Sequence, residues 1–256
     1  MTLNSKSIFF GEFIGTLILV FFGCSSVAIA TIFGGFSSLF EVALFWVFAV
    51  FLGIICSQQY SFSHLNPAVS WGFYLKGEIS FVLMVKKIVA QCLGAFGAAG
   101  LVYLFFNDAM VLFEASTNAP ILHLKTASCF GEYYPNPGFI DKVNPSFSKA
   151  MFMEGMGVFI LFYGIVEVVE RDFNKASSAL IISLIVGMLI VLIAPYTQAG
   201  FNPARDLMPR LFSYFTRWED IAFSQGISNV ILIYVVAPFL GSSLAVFVRK
   251  FIPNRS

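Results

Sequence analysis

Charged residues are scarce in this chain. Asp, Glu, Lys and Arg make up 11% of its 256 residues, whereas a soluble domain usually carries about 25%. Hydrophobic residues make up 58% and the mean hydropathy is +0.85. This composition excludes an ordinary soluble domain and predicts an integral membrane protein. The formal net charge of +1 provides no strong field of either sign, so we expect no nucleic-acid partner.

Cysteine is also rare. The four cysteines form no Cys-x-x-Cys pair and show no spacing typical of a metal site. We therefore expect neither a structural metal nor a cofactor. The sequence also offers no convergent set of nucleophile, base and metal ligands, which argues against an enzyme.

Long apolar runs are what the chain does contain. Six of them suit membrane-spanning helices, which need about 20 residues each. Two shorter segments begin with Asn-Pro-Ala and are too short to cross a membrane alone. The pattern predicts an all-α membrane protein with six transmembrane helices and two re-entrant half-helices. The spans are expected at about 8–32, 40–60, 82–106, 149–169, 177–194 and 228–248, and the half-helices at about 67–75 and 203–215.

The first apolar run resembles a secretory signal, because it follows Lys6 and ends in a motif of small residues. It is long enough to span a membrane, and it carries Glu12, which is out of place in a signal sequence. We expect it to remain as the first transmembrane helix.

Matching motifs indicate an internal inverted repeat. Glu12 opens the first half and Glu154 the second, and each half carries one Asn-Pro-Ala segment. Each half has three spans, so the two copies enter the membrane from opposite sides and their short segments meet near its middle. We expect a single domain over 1–256, with repeats at about 8–106 and 149–250 joined by a turn-rich loop at about 107–148.

The two Asn-Pro-Ala segments predict capped helix starts. Asparagine is a strong N-cap and proline is favoured in the first helical turn. The candidate residues are Asn66, Pro67, Ala68, Asn202, Pro203 and Ala204. Both helix N-termini would direct positive dipole ends at one region, which repels cations and leaves amide donors for neutral solutes. Re-entrant backbone at membrane depth is tolerated where it lines a wet cavity, so the motifs predict a pore.

Basic residues predict the orientation. With six spans, nine Lys and Arg fall on the side of the termini and six on the opposite side. The positive-inside rule then places both termini in the cytoplasm and the loop at about 107–148 outside.

The motifs resemble those of the aquaporin, or major intrinsic protein, family over nearly the whole chain. The resemblance rests on Gly11-Glu12-Phe13-Ile14-Gly15-Thr16, Ser63-His64-Leu65-Asn66-Pro67-Ala68-Val69 and Asn202-Pro203-Ala204-Arg205. It implies a passive channel in the lipid bilayer of the plasma membrane, assembled as a homotetramer with one pore per subunit. It also implies that Arg205 lies at the outer constriction, the selectivity filter.

Asp206 and Trp46 resemble the glycerol-conducting branch of the family, in which a filter tryptophan contacts the carbon backbone of a polyol. We therefore expect glycerol and water as permeants. Ala199 departs from that branch, which usually has an aromatic residue there, and the connection from Ala194 to Ala199 resembles a shortened version of the family's. The filter wall formed by Ala194 and Ala199 is thus open to three interpretations: Tyr196 or Phe201 fills the gap, the filter is wider and admits urea, or the channel is water-selective.

Four polar residues are expected to support the pore: Glu12, His64, Glu154 and Asp206. Glu12 and Glu154 are costly in a membrane unless paired, and we expect both to accept hydrogen bonds from the re-entrant backbone. His64 is expected to tie the two re-entrant loops together. A secondary transporter remains the alternative class, since transporters also use inverted repeats and broken helices.

Overall fold

The computed structural model describes residues 4–116, 119–171 and 173–251. This described part forms ten helices and contains no strand. In chain order they are α1 (Ser5–Phe33), α2 (Leu39–Ser57), α3 (Pro67–Leu75), α4 (Phe81–Ala115), α5 (Ile121–Ala127), α6 (Phe147–Glu170), α7 (Lys175–Thr197), α8 (Pro203–Tyr214), α9 (Glu219–Ala222) and α10 (Ile227–Arg249).

Six of these helices, α1, α2, α4, α6, α7 and α10, are long and apolar enough to cross a membrane. Each coincides with one predicted span, and α3 and α8 coincide with the two predicted half-helices. Five of the six start directly after a Ser or Asn whose side chain accepts a backbone N–H of the first turn. These N-caps are Asn4, Ser38, Ser80, Ser146 and Asn174.

The long loop expected at about 107–148 was wrong in part. Helix α4 continues to Ala115, and α5 forms a further helix within the predicted loop. The polar residues at the end of α4 gain partners there: Arg217 donates to Asn107 Oδ1 at 3.1 Å and forms an ion pair with Glu114. These contacts let the helix extend beyond its apolar stretch.

The two halves pack in matching ways. Helix α1 packs against α2 and α4, and α6 packs against α7 and α10. A Cβ atom at Gly94 would lie 2.3 Å from the Phe13 carbonyl oxygen, and one at Gly241 would lie 2.1 Å from the Gly155 carbonyl oxygen. Only glycine permits such approaches. Because Phe13 and Gly155 each follow the first glutamate of their half, the same close contact recurs in both repeats.

The half-helices connect one repeat to the other. Helix α3, from the first half, packs against α10, and α8, from the second half, packs against α4. Each half-helix is thus enclosed by spanning helices, which leaves its N-terminus facing the interior of the bundle.

A buried ion pair joins α1 to α4. The Lys87 ammonium nitrogen lies 2.6 Å from Glu12 Oε1, and neither side chain is accessible to solvent. Lys87 is one of the nine basic residues counted on the side of the termini, but its burial means that it adds no charge to a loop. The lysine balances a carboxylate inside the bundle, where an uncompensated charge is costly.

We expect Lys87→Met to destabilise the protein by about 3–5 kcal/mol, because it leaves the Glu12 carboxylate buried without its cation. For a chain of this size the loss corresponds to a fall of roughly 10 °C in the denaturation temperature. The measurement is thermal denaturation of the purified protein in detergent. Lys86→Met is the matched control, since Lys86 is exposed on the same helix. Equal denaturation temperatures for the two variants would contradict the prediction.

Candidate functional site

The two Asn-Pro-Ala segments meet inside the bundle through a reciprocal pair of hydrogen bonds. The Asn66 amide nitrogen donates to the Phe201 carbonyl at 2.9 Å, and the Asn202 amide nitrogen donates to the Leu65 carbonyl at 2.7 Å. The side-chain oxygens of both asparagines cap their own half-helices by accepting from the N–H groups of Ala68 and Ala204. The N-termini of α3 and α8 therefore face one another across a common region.

The loop before each half-helix is bound by one buried carboxylate. Glu12 accepts hydrogen bonds from the backbone N–H groups of His64 and Leu65 at 3.0 and 2.8 Å. Glu154 accepts from those of Gly200 and Phe201 at 3.0 and 2.8 Å. The geometry is that expected from the sequence, and it occupies matching positions, one and two residues before each asparagine. The N–H groups thereby turn away from the space that the loops enclose.

Two cavities lie along this space. The termini-side cavity, of about 420 Å³, opens on the side where α1 begins and is lined by the backbone of 61–66 and 199–202. The loop-side cavity, of about 510 Å³, opens beside α5 and the following loop. Within the described residues, no N–H or O–H group donates to the backbone carbonyl oxygens of Ser63, His64, Ala199 or Gly200. All four residues line the termini-side cavity, so their carbonyl oxygens remain available as hydrogen-bond acceptors.

Three side chains form the junction of the two cavities: Trp46, Ile190 and Arg205 line both of them. The Arg205 guanidinium carbon lies 4.7 Å from the centre of the Trp46 ring, a cation–π contact. Gly23 lies directly beneath the indole, since a Cβ there would be 2.2 Å from Trp46 Cη2. The junction thus has an aromatic wall, an aliphatic wall and a cluster of N–H donors.

The structure corrects the expected filter wall. Ala194 lines only the loop-side cavity, and Ala199 lines only the termini-side cavity. Tyr196 packs under the Lys149 ammonium group, 4.5 Å from the ring centre, and the Phe201 ring packs on Gly157. Neither aromatic ring reaches the junction. Ile190, one helical turn before Ala194, stands there instead, because α7 remains helical through Pro195 to Thr197.

Arg205 is held on the loop side by an acidic partner that the sequence did not reveal. Its guanidinium forms an ion pair with Glu132 Oε1, and both side chains are buried. Glu132 lies in the loop after α5, outside the spanning helices. Burial raises the pKa of Glu132 to about 8, and the attraction of Arg205 acts in the opposite direction.

Asp206 positions this loop and does not line either cavity. Its Oδ1 accepts from the Glu132 backbone N–H at 2.6 Å and from Arg210 at 2.8 Å. Arg210 in turn donates to the Glu132 and Ala222 carbonyls. The fully buried Asp206–Arg210 pair therefore clamps the backbone of Glu132 against α8.

His64 does not tie the two loops together as expected. Its Nδ1 lies 3.1 Å from Ser70 Oγ, and its ring stacks on Phe73 at 4.7 Å between ring centres. Both partners belong to α3, so His64 braces its own half-helix. Asn66 and Asn202 connect the loops instead.

Several residues of the site escaped sequence reasoning. Spacing could have indicated some of them, since residues four apart share one helix face: Lys87 and Gln91 both reach Glu12, and Arg210 pairs with Asp206. Glu132 carried no local signal, because its partner lies in α8. Among the described residues, no group of three or more His, Cys, Asp or Glu is arranged to hold a metal ion.

Comparison with known proteins places these features in a family. The family model described as "Major intrinsic protein" matches residues 2–249. The chain is 33% identical to the glycerol uptake facilitator protein of Pseudomonas aeruginosa, over 91% of this chain and 84% of that protein. It is 28% identical to the glycerol uptake facilitator protein of Buchnera aphidicola, over 96% of this chain and 95% of that protein.

A solved structure agrees with these relatives. The aquaglyceroporin from Plasmodium falciparum superimposes with a TM-score of 0.82 at 26% sequence identity, covering 97% of both chains. The six membrane-competent helices, the two half-helices and the matched sequence together show that this chain belongs to the major intrinsic protein family.

Proposed function

We propose that the chain is a passive plasma-membrane channel that conducts glycerol and water and excludes ions and protons. The observation that carries the proposal is the reciprocal hydrogen bonding of Asn66 and Asn202, which joins two helix N-termini inside a cavity. Beyond it, the junction of Trp46, Ile190 and Arg205 connects this cavity to the opposite side. A continuous lining of this kind suits passive flow better than alternating access.

The joined N-termini explain why ions are excluded. Each helix start carries about half a positive elementary charge, so a cation between α3 and α8 meets repulsion from both. Because the oxygen of each asparagine caps its own helix, only amide N–H groups remain for a passing solute. A neutral hydroxyl can accept these bonds, whereas a chain of waters oriented by two sets of donors cannot relay a proton through them.

The junction favours glycerol over a purely polar solute. The Trp46 ring and the Ile190 side chain offer apolar surface, and Arg205, which packs over the Trp46 ring, offers N–H donors beside it. Such a surface suits a molecule with carbon on one side and hydroxyls on the other. The names of the relatives, glycerol uptake facilitators and an aquaglyceroporin, support the same solute.

Orientation and assembly form part of the proposal. Lys87, Arg205 and Arg210 lie in buried ion pairs, so they do not contribute to the charge of the loops. The remaining basic residues number eight on the termini side and four on the other, which favours cytoplasmic termini more strongly than the full count did. Both cavities and their junction lie within one chain, so each subunit of the proposed homotetramer would carry its own pore.

The proposal is tested by stopped-flow light scattering on proteoliposomes. We expect glycerol and water to equilibrate much faster than in empty liposomes, and the glycerol rate to rise linearly with its concentration. No proton or potassium current is expected. Fast water with baseline glycerol would show a water-selective channel, fast urea would show a wider filter, and saturating or ion-coupled flux would show a transporter.

Ile190→Ala should widen the junction, because it removes three carbons from its apolar lining. We expect the permeability to erythritol, one carbon longer than glycerol, to rise roughly tenfold, as pocket discrimination of a methylene suggests. The same flux assay provides the measurement. Val191→Ala is the matched control, since Val191 is the next residue and faces outward from α7. An unchanged erythritol rate in Ile190→Ala would place the constriction elsewhere.

A further inference from the structure

The path through the chain is lined by matching sets of residues on three helices. In each set the residues are four positions apart, so they share one helix face. One end of each set lines the termini-side cavity, the other end lines the loop-side cavity, and the middle residue is level with the junction. In that order the sets are Leu19, Gly23 and Val27 on α1, Val50, Trp46 and Val42 on α2, and Val186, Ile190 and Ala194 on α7.

Gly23 differs from the other two middle residues. Trp46 and Ile190 line both cavities, whereas Gly23 is buried and lines neither. The outer edge of the Trp46 six-membered ring covers it: a Cβ atom on Gly23 would lie 2.6 Å from Cζ2 and closer still to Cζ3 and Cη2. Carbon atoms in ordinary contact are about 3.5–4.0 Å apart. At this level, therefore, the indole of α2 fills the place that a side chain of α1 would take.

The indole cannot move away from α1 without entering the path. It is 7% exposed, and the Arg205 guanidinium packs over its ring with the guanidinium carbon 4.7 Å from the ring centre. Because these two groups are in contact, the passage at this level lies between the pair and Ile190, the third residue that lines both cavities. A methyl group at position 23 would displace the ring by about 1 Å to reach an ordinary contact distance. The open space that can receive the ring is the junction.

We infer that Gly23 is a specificity-determining residue of the channel. Because it has no side chain, the Trp46 indole can retract against the backbone of α1, and the position of the retracted indole sets the width of the junction. The inference rests on the proposed function. A narrower junction hinders glycerol more than water, since glycerol is the wider molecule. The residue therefore affects the choice between these two solutes.

Gly23→Ala tests the inference in the stopped-flow assay on proteoliposomes. The added methyl group should push the indole into the junction. We expect the ratio of glycerol to water permeability to fall roughly tenfold, the effect that one methylene has in a close-fitting pocket. Gly97→Ala is the matched control, because Gly97 also lies inside a spanning helix and a Cβ there would meet, among the described residues, only Leu17 Cδ1 at 3.6 Å. Its ratio should equal that of the wild type.

Trp46→Phe provides a second test. A phenyl ring is shorter than an indole and lacks the edge that covers Gly23. When Gly23→Ala is combined with Trp46→Phe, it should therefore cause no further fall in the ratio. Trp46→Phe alone should raise the permeability to erythritol, because the aromatic wall recedes from the junction. These two variants keep the inference testable even if Gly23→Ala alone does not fold.

The outcomes separate this inference from the proposed function. Wild-type glycerol flux no faster than that of empty liposomes overturns the proposed function itself. With fast wild-type flux, an unchanged ratio in Gly23→Ala, or equal falls in glycerol and water permeability, overturns only the role of Gly23. A fall of the same size in the Trp46→Phe background overturns it too, because the methyl group then does not act through the indole. Unchanged erythritol permeability in Trp46→Phe has the same consequence, since the indole then does not border the constriction.

Discussion

The structure depends on one constraint: backbone groups at the middle of a membrane need partners that water does not supply. The two loops before α3 and α8 leave the helical state there, and their N–H groups are satisfied by Glu12 and Glu154. Their carbonyls at Leu65 and Phe201 are satisfied by the opposite asparagines. Each half therefore supplies a hydrogen bond to a carbonyl group in the loop of the other half.

The two halves surround their buried glutamates with different partners. The charge of Glu12 is balanced by Lys87, and Gln91 also donates a hydrogen bond to it. Glu154 accepts hydrogen bonds from Thr197 and from backbone N–H groups, and no cation contacts it among the described residues. The second half places its cations on α8, at Arg205 in the first turn and at Arg210. The repeat thus preserves the acceptor at each glutamate but redistributes positive charge toward the junction, where it meets solute.

Local patterns predicted the fold well because the membrane imposes simple rules on length and hydropathy. All six spans and both half-helices were found from apolar runs and from Asn-Pro starts. The region 107–148 was harder to predict from the sequence, since the extension of α4 depends on Arg217, about a hundred residues later. The junction was the hardest part to predict: the path of α7 places Ile190 there, a long loop brings Glu132 to Arg205, and neither residue carries a motif.

The ion pair with Glu132 changes the charge that Arg205 presents at the junction. An unpaired guanidinium would add a full positive charge to the junction, and would hold an acceptor solute in its field. When Glu132 is ionised, its carboxylate cancels most of that charge at short range, and the two helix N-termini then supply the positive potential that opposes cations. The junction is then free to select by shape. Selection against charge and selection among neutral solutes are thereby assigned to different places along one path.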